Sequence, residues 1–483
     1  MRGKIPLAFG SAHQGRRMKY SDYGAWAARA TEWIEGYFDG LRARPVRAQS
    51  QPGQIAARLP QSPPEAAEPM ATILDDFSAI VPEGMTHWQH PRFFAYFPSN
   101  AAPASMIAEQ LVNAMAAQCM LWQTSPAATE IEQVMIDWLR QALDLPEGFR
   151  GVIQDSASSA SLSAVLTMRE RALEHRGNEI GLSGGPQLRV YSSAQVHSSI
   201  DKAIRIAGLG QENLVKVATF ADYAMDPAAL RAALKADLTA GFTPAGLVMC
   251  TGGTAIGASD RLEPLLDIAQ EFGLFTHLDA AWAGSAMICP ELRTLWAGVE
   301  RCDSIVFNPH KWLGANFDCA VQFLADPDLQ RRTMGLRPSY LETPQAQDVV
   351  NFNEWTVPLG RRFRALKLWF VLRAYGLAGL RDMIRNHISW TAELCDHLRN
   401  LPDIAIITEP RLALFTFQYQ PQGQDANAAT LALITRINDD GRVYLTQTLH
   451  DGQMVIRVTV GSFECTRADV LMVAQVVDEL TRQ

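Results

Sequence analysis

Three short segments place reactive side chains just past apolar, β-rich runs. In the first, Gly151-Val-Ile-Gln-Asp-Ser-Ala-Ser-Ser159, the run gives way to Ser156, Ala157 and Ser158 and then to a helical pattern. Backbone N–H groups at a helix start, with two hydroxyls beside them, can cradle a phosphate. Serine and alanine also open many helices as plain caps, so this segment alone leaves both readings open. In the second, Phe275-Thr-His-Leu-Asp279, a carboxylate ends an apolar run, where it is costly unless a cation answers it. A turn or cap aspartate is the other reading. The third, Ser304-Ile-Val-Phe-Asn-Pro-His-Lys-Trp312, brings Lys311 a few residues past an apolar run, between His310 and Trp312. Desolvation favours the neutral amine that a lysine nucleophile needs. A lysine read in isolation would reach for the surface instead.

Asp279 and Lys311 stand 32 residues apart, about one strand–helix–strand unit, which predicts neighbouring strand ends of one sheet. Carboxylate, amine and phosphate cradle are the three anchors that pyridoxal 5'-phosphate requires, for its ring nitrogen, its aldehyde carbon and its phosphate.

The elements that must position these groups read as an α/β alternation. β-rich runs at 151–154, 189–192, 245–250, 274–279 and 304–308 are mostly separated by helical patterns at 159–175, 200–207, 227–236 and 262–272. That order predicts a mostly parallel sheet with helices on both faces and chemistry past the carboxyl ends of its strands. Upstream, Thr129-Glu-Ile-Glu132 reads as a capping box opening a helix with Ile131, Val134, Met135, Trp138 and Leu139 on one face. Tyr23, Trp26, Trp33, Ile34, Tyr37 and Phe38 recur at helical spacing behind a Ser21/Asp22 cap, and prolines 45, 52, 60, 63, 64 and 69 then impose an extended arm. A helix and arm of this size hold no core alone and are expected to pack on a second subunit. Beyond residue 380, a helix at 388–401, a strand at 412–417, a helix at 428–439, a strand at 454–460 and a helix at 467–480 predict a small α+β domain. The expected organisation is a flexible tail over 1–17, a helical dimerisation segment with its arm over 18–95, a large cofactor-binding domain over 96–380 and the small domain over 381–483.

Composition narrows the classes. The chain has 483 residues, with 43 Lys and Arg against 51 Asp and Glu for a net charge of −8, which offers no basic face to a nucleic acid. A 48% hydrophobic and 19% charged composition excludes a disordered chain. No apolar run approaches the roughly 18 residues of a membrane span, so no membrane partner is expected. Seven scattered cysteines without a CxxC argue against a disulfide framework and a thiolate metal site. The apolar stretch near the N-terminus is too short for a secretory signal, so the expected compartment is the cytoplasm.

The stretches HPRFFAYFPSN (90–100), SPAATEIEQVMIDWL (125–139), GVIQDSASSASL (151–162), YSSAQVHSSIDKA (191–203), HLDAAWAGSAMICPELR (277–293), FNPHKWLGANFDC (307–319) and PLGRRFRALKLWFVLRAYG (358–376) carry a resemblance over roughly residues 19–480. On them the sequence resembles the group II pyridoxal-phosphate decarboxylases of the aromatic-L-amino-acid decarboxylase type. The resemblance implies a homodimeric fold-type I enzyme with a mostly parallel seven-stranded sheet. It implies Lys311 as the amine that takes the cofactor aldehyde and Asp279 as the partner of the ring nitrogen. Ser156, Ala157, Ser158 and Asn308 match phosphate contacts, and Thr254, His310 and Phe317 match further cofactor contacts, Phe317 acting partly across the subunit boundary. His197 matches the imidazole stacked on the cofactor ring. Tyr340 matches a loop tyrosine that returns a proton after CO2 leaves, and 342–351, poor in apolar residues, suits a lid. Trp88, Tyr96, Phe97, Pro98 and Ser99 match the wall around the substrate ring, with Met120 and Gly360 completing it.

The pattern is not followed everywhere. Asp155 stands where glycine is common and is expected to point away from a phosphate. Met120 replaces an aromatic residue of the animal enzymes with a softer wall, and the segment after Tyr340 is about one residue shorter than theirs. Gly360 leaves room for an indole, and no arginine in the matched wall answers a second carboxylate, which argues against acidic substrates. The expected reaction converts an aromatic L-amino acid (tyrosine, phenylalanine, tryptophan, DOPA or 5-hydroxytryptophan) to its amine and CO2. The alternative is an aromatic acetaldehyde synthase, which the resemblance associates with phenylalanine at the position of Tyr340. A non-catalytic cofactor-binding protein is disfavoured by Lys311, Asp279 and His197 standing together.

Overall fold

The structure, a computed structural model, describes residues 18–336 and 349–482. The expected tail over 1–17, Tyr340 and most of the expected lid lie outside the described residues. Five helices precede or flank the first strand: α1 (Tyr23–Asp39), α2 (Met70–Ile80), α3 (Pro103–Met115), α4 (Pro126–Ala142) and α5 (Ala157–Ala172). The alternation folds into a sheet of seven strands: β1 (Arg150–Gln154), β2 (Leu188–Ser193), β3 (Leu214–Val217), β4 (Thr243–Cys250), β5 (Phe275–Asp279), β6 (Ser304–Phe307) and β7 (Ala320–Leu324). Their order is β1-β7-β6-β5-β4-β2-β3. Neighbours from β6 through β3 run parallel, and β7 runs antiparallel to both β1 and β6. Every residue of β5 and β6 is buried, as befits strands covered on both faces.

Two strands of this sheet were not anticipated, because their patterns are broken. β3 is four residues long with Lys216 exposed, and β7 carries Gln322 in the middle of its apolar run. Gln322 is buried and amide-paired to Gln154 and Gln330, so its polarity is answered inside the core. A second, antiparallel sheet holds β8 (Ile404–Arg411), β9 (Leu414–Tyr419), β10 (Thr446–His450) and β11 (Gln453–Thr459) in the order β10-β11-β9-β8. The helix expected at 388–401 belongs to a much longer one, Ala365–Arg399, broken at Gly376. There φ 62 and ψ 166 leave helical space for a region that glycine alone enters cheaply.

The capping box is a correction. α4 starts at Pro126 behind Ser125, so Thr129 and Glu132 lie inside the helix, both buried. Proline at the first helical position sets the start without help from a box. Thr129 Oγ1 donates to the Ser125 carbonyl at 3.2 Å, and Glu132 Oε1 accepts from the Ile153 N–H at 2.8 Å and from Arg361 Nη2 at 2.6 Å. Arg361 also donates to the Ile153 carbonyl at 2.8 Å, so the pair ties α4, β1 and the segment ahead of the long helix together. The side chains are 2% and 3% exposed, too little for water to replace a lost partner. Glu132→Ala is therefore expected to cost about 3–5 kcal/mol by stranding the guanidinium, read as a lower urea midpoint at unchanged slope.

Candidate active site

β5 delivers Asp279 and β6 delivers Asn308, Pro309, His310 and Lys311 at the same edge of the sheet. Asp279 lies opposite Cys250 of β4 and Val306 of β6 in register. Its Oδ1 accepts from the Ala281 N–H at 3.0 Å, and the Asn308 N–H donates to the Ala281 carbonyl at 2.8 Å. Ala157, at the start of α5, packs in one cluster with Ala281 and Val306. The N-terminus of α5, with Ser156 and Ser158, thus abuts the ends of β5 and β6. Ser156 is the N-cap, its Oγ accepting from the Ser159 N–H at 3.3 Å, so the plain-cap reading of that segment is also true. Asp155 accepts from Ser156 Oγ at 3.3 Å, and its charge acts on Arg364, which is paired with Asp318.

Lys311 closes a one-turn helix, Pro309–Trp312, and lines a cavity of about 870 Å³. Asn100 pins its backbone: the side-chain amide donates to the Lys311 carbonyl at 2.7 Å and to the Gly461 carbonyl at 2.9 Å. The amine lies 4.6 Å from the Phe97 ring centroid. Burial pushes its pKa down to about 8, with the Asp279 charge opposing the shift and Arg457 adding to it. The same Asp279 charge acts on His197, whose ring is pushed down first by burial and next by Lys311. His197 caps the helix Ser198–Ile206, Nδ1 accepting from the Ser199 N–H at 3.1 Å, so the proton of the neutral ring is on Nε2. His310 is likewise neutral: burial takes it down to about 3, and its Nδ1 accepts from the Cys319 N–H at 2.9 Å.

The cavity wall is aromatic on one side. Trp88 stacks on Tyr96 at 5.9 Å, and Phe97 stands on a column of Trp282 at 4.9 Å and Trp312 at 4.8 Å beyond it. Tyr96 has φ 48, a strained position for a bulky residue. Arg457 Nη1 bonds its carbonyl, and Thr446 Oγ1 accepts from its N–H at 3.4 Å. His197, Thr254, His310, Lys311, Phe317, Trp88, Tyr96, Phe97, Pro98 and Ser99 all line this one cavity. Asp279, Asn308 and Ser156–Ser158 are not among its lining residues; the Asp279 charge reaches Lys311 and His197 from β5, and Asn308 leads into the turn that carries Lys311. Met120 and Gly360 do not line it: Gly360 lies beside Gln118, whose Oε1 accepts from the Arg361 N–H at 2.8 Å while its Nε2 is 3.2 Å from where a Gly360 Cβ would stand, and the Met120 carbonyl accepts from the Asn353 N–H at 3.1 Å.

Sequence reasoning missed the part of the wall that the second sheet supplies, which joins the aromatic side where Thr446 and Arg457 bond Tyr96 and Arg457 lies 4.6 Å over the Phe97 ring. Thr446, Gln447 and Thr448 of β10 and Arg457 of β11 also face the cavity. The matched wall residues include no arginine, and the arginine that lines the cavity, Arg457, reaches in from the second sheet. Arg457 is 4% exposed, its Nε and Nη2 meet no partner, and burial alone lowers its pKa to about 9. A cation in that state favours any anion that enters. Among the described residues no group of three His, Cys, Asp or Glu could hold a metal ion.

Pyridoxal phosphate fits what is present: a depressed lysine amine, a carboxylate whose charge acts on it, a helix N-terminus, and the buried Asn308 amide, whose oxygen meets no donor and so leaves the group free to turn its NH2 to a phosphate. A sheet with these groups at its strand ends defines the fold-type I class of pyridoxal-phosphate enzymes. Residues 52–420 match the pyridoxal-dependent decarboxylase conserved domain. The chain is 38% identical over 444 residues to a phenylacetaldehyde synthase of Arabidopsis thaliana, covering 89% of this chain and 90% of that one. It is 34% identical over 477 residues to an aromatic-L-amino-acid decarboxylase of Catharanthus roseus, covering 96% and 94%. The solved Catharanthus roseus tryptophan decarboxylase in complex with L-tryptophan superposes with a TM-score of 0.91 at 33% identity, covering 97% of this chain and 99% of that one. The chain belongs to the pyridoxal-dependent decarboxylase family, and it is a pyridoxal-phosphate-dependent carboxy-lyase.

The Lys311 amine sets a pH dependence. Only the neutral amine attacks an aldehyde, so capture of pyridoxal phosphate by the cofactor-free protein should rise with pH and reach half its plateau near 8. At pH 7 such an amine is roughly one-tenth neutral, against roughly one in three thousand for an unperturbed lysine. Stopped-flow absorbance between about pH 6 and 10 reads the midpoint, and a value above about 10 would show an ordinary lysine.

Proposed function

We propose that the protein decarboxylates an aromatic L-amino acid to the corresponding amine and CO2. The observation that carries this reading is a lysine amine with a depressed pKa opening into a cavity walled by Trp88, Tyr96 and Phe97. Lys311 holds the cofactor aldehyde, Asp279 keeps a proton at the ring nitrogen, and Ser156, Ala157, Ser158 and Asn308 hold the phosphate. When bound, pyridoxal phosphate supplies the electron sink for the bond that breaks between Cα and the carboxylate. Neutral His197 offers a ring face to the cofactor, with Thr254, His310 and Phe317 around it. The aromatic wall buries the substrate ring, worth roughly 1.5–3 kcal/mol, while Arg457 supplies the positive charge that an amino acid's carboxylate answers. Tyr340 returns the proton to the carbon that lost CO2.

The reading includes a homodimer. α1 and α2 have no buried residue, although Trp33 and Phe77 meet edge-on at 4.8 Å between them. On α3, Ile107, Leu111 and Met115 form an exposed apolar stripe at four-residue spacing. A second copy covering these faces would bring Met120 and Gly360 to its neighbour's cavity. On this reading 18–95 is the dimerisation segment, 96–380 the cofactor domain and 381–483 the small domain. Seven buried, unpaired cysteines suit a reducing cytoplasm, and no helix among the described residues is long and apolar enough to cross a membrane. Sedimentation or light scattering should give twice the chain mass; an active monomer would overturn the assembly.

A second reading is favoured by the similarity to a phenylacetaldehyde synthase: the same cofactor chemistry with oxidative deamination, consuming O2 and releasing aldehyde, ammonia and peroxide. Purified enzyme given tyrosine, phenylalanine, tryptophan, DOPA or 5-hydroxytryptophan should release amine and CO2 in equal amounts without oxygen uptake. Aldehyde with peroxide in its place would select the synthase. Tyr340→Phe should lower amine formation by about 10²–10⁴-fold and divert turnover to aldehyde. A variant making amine at the parental rate, without aldehyde, would remove Tyr340 from the mechanism.

A further inference from the structure

His277 stands two residues before Asp279 on β5, so both side chains leave the same face of the sheet. It is fully buried, and each ring nitrogen meets a hydroxyl: Nε2 lies 3.0 Å from Ser161 Oγ on α5, and Nδ1 lies 3.0 Å from Ser304 Oγ on β6. The position of the ring proton follows from the far end of a hydrogen-bond chain. The Trp355 carbonyl can only accept, so Gln330 turns Nε2 to it at 2.7 Å. Gln330 Nε2 also donates to Gln322 Oε1 at 3.0 Å, and Gln322 Nε2 donates back to Gln330 Oε1 at 2.9 Å. The second hydrogen on Gln322 Nε2 then goes to Ser304 Oγ at 3.1 Å. Ser304 Oγ has His277 Nδ1 as its one remaining partner, so its own hydrogen goes there. Nδ1 accepts, and the proton of the neutral ring sits on Nε2, donated to Ser161. Protonating Nδ1 would set N–H against O–H. Burial pushes the ring down to about 4, against the pull of Asp279, in keeping with a neutral imidazole.

An aliphatic side chain would fill this space without a five-residue polar chain, and buried networks are costly unless every member is satisfied. Asp279 gives the chain a purpose. Its carboxylate accepts a single side-chain-to-backbone bond, from Ala281, which leaves its charge free for a ligand. An imidazolium on the same strand face would compete for that charge. We propose that His277 is a positioning residue, locked as its neutral Nε2–H tautomer by Gln330, Gln322 and Ser304 so that the Asp279 charge is left undivided for the cofactor ring nitrogen. The inference rests on the reading of Asp279 as the partner of that nitrogen.

Gln322→Glu reverses the chain with almost no change of shape. The new oxygen stands where Nε2 donated to Gln330 Oε1 and Ser304 Oγ; when ionised it accepts from Ser304 but meets the Gln330 oxygen without a hydrogen between them, and when protonated it can still donate. In the ionised variant the Ser304 hydrogen turns to the carboxylate, and His277 Nδ1, left without a donor, is open to a second proton whose charge the carboxylate balances. The expected result is pyridoxal phosphate bound about tenfold more weakly, with a shifted visible absorbance band, while Ser304→Thr, which keeps the hydroxyl, behaves as the parent. A folded Gln322→Glu protein in which nitrogen NMR shows an imidazolium at His277 while affinity and spectrum stay parental would overturn the inference alone; where the ring stays neutral, the tautomer of the parent decides. A parent that binds no pyridoxal phosphate would overturn the underlying reading and this inference with it. Should Gln322→Glu not fold, nitrogen NMR of the His277 ring in the parent decides: Nε2–H with an accepting Nδ1 is expected, and an Nδ1–H tautomer or an imidazolium at neutral pH overturns the proposal.

Discussion

An amine that must be both basic enough to bind and neutral enough to react has to be stripped of water without losing all its charge partners. That constraint governs the molecule. Lys311 is held at the balance by three influences acting in opposite senses: burial and Arg457 press its pKa down, and Asp279 holds it up. Keeping the balance requires backbone precision at three places remote in sequence. Parallel pairing of β4, β5 and β6 fixes Asp279, Asn100 ties the Lys311 backbone to the second sheet, and the column of Phe97, Trp282 and Trp312 seals the floor. Trp312 ends that column on His387, to which its indole N–H donates at 3.0 Å, so even the polar end of the stack is satisfied.

Around this centre the histidines are kept uncharged by their hydrogen bonds as well as by burial. His197, His277 and His310 each use Nδ1 as an acceptor, from Ser199, Ser304 and Cys319 respectively. Three imidazoles around the cofactor site therefore contribute polarity without adding cations. The cationic charge on the cavity wall comes from Lys311 and Arg457 alone among those lining residues that carry a full charge at neutral pH.

Local pattern made the central chemistry legible. Asp279 and Lys311 each follow an apolar run, and their separation matches one crossover unit, so the strand ends could be read before any contact was known. The family resemblance then supplied His197, Thr254 and the aromatic wall, all of which meet in one cavity. What escaped was carried by residues whose polarity is answered from far away. Gln322 breaks β7 because its partners are on β1, 168 residues away, and on the helix that follows, and β10 escapes notice because its residues face a cavity rather than a core. Glu132 looked like a local cap since Arg361, its true partner, lies 229 residues downstream.

The composite origin of the cavity separates tasks that many enzymes keep together. The reacting groups stand on the rigid parallel sheet, and the aromatic wall on the segment before α3. The polar part of the wall is β10, which is an edge strand of the other sheet, paired on one side only. Edge strands tolerate side-chain replacement better than central ones, since fewer neighbours depend on them. Gln447, exposed and second in that strand, can change without disturbing the balance of charge at Lys311. The architecture thus gives evolution, or a designer, a place to alter the repertoire of acceptable rings while the chemistry is inherited intact.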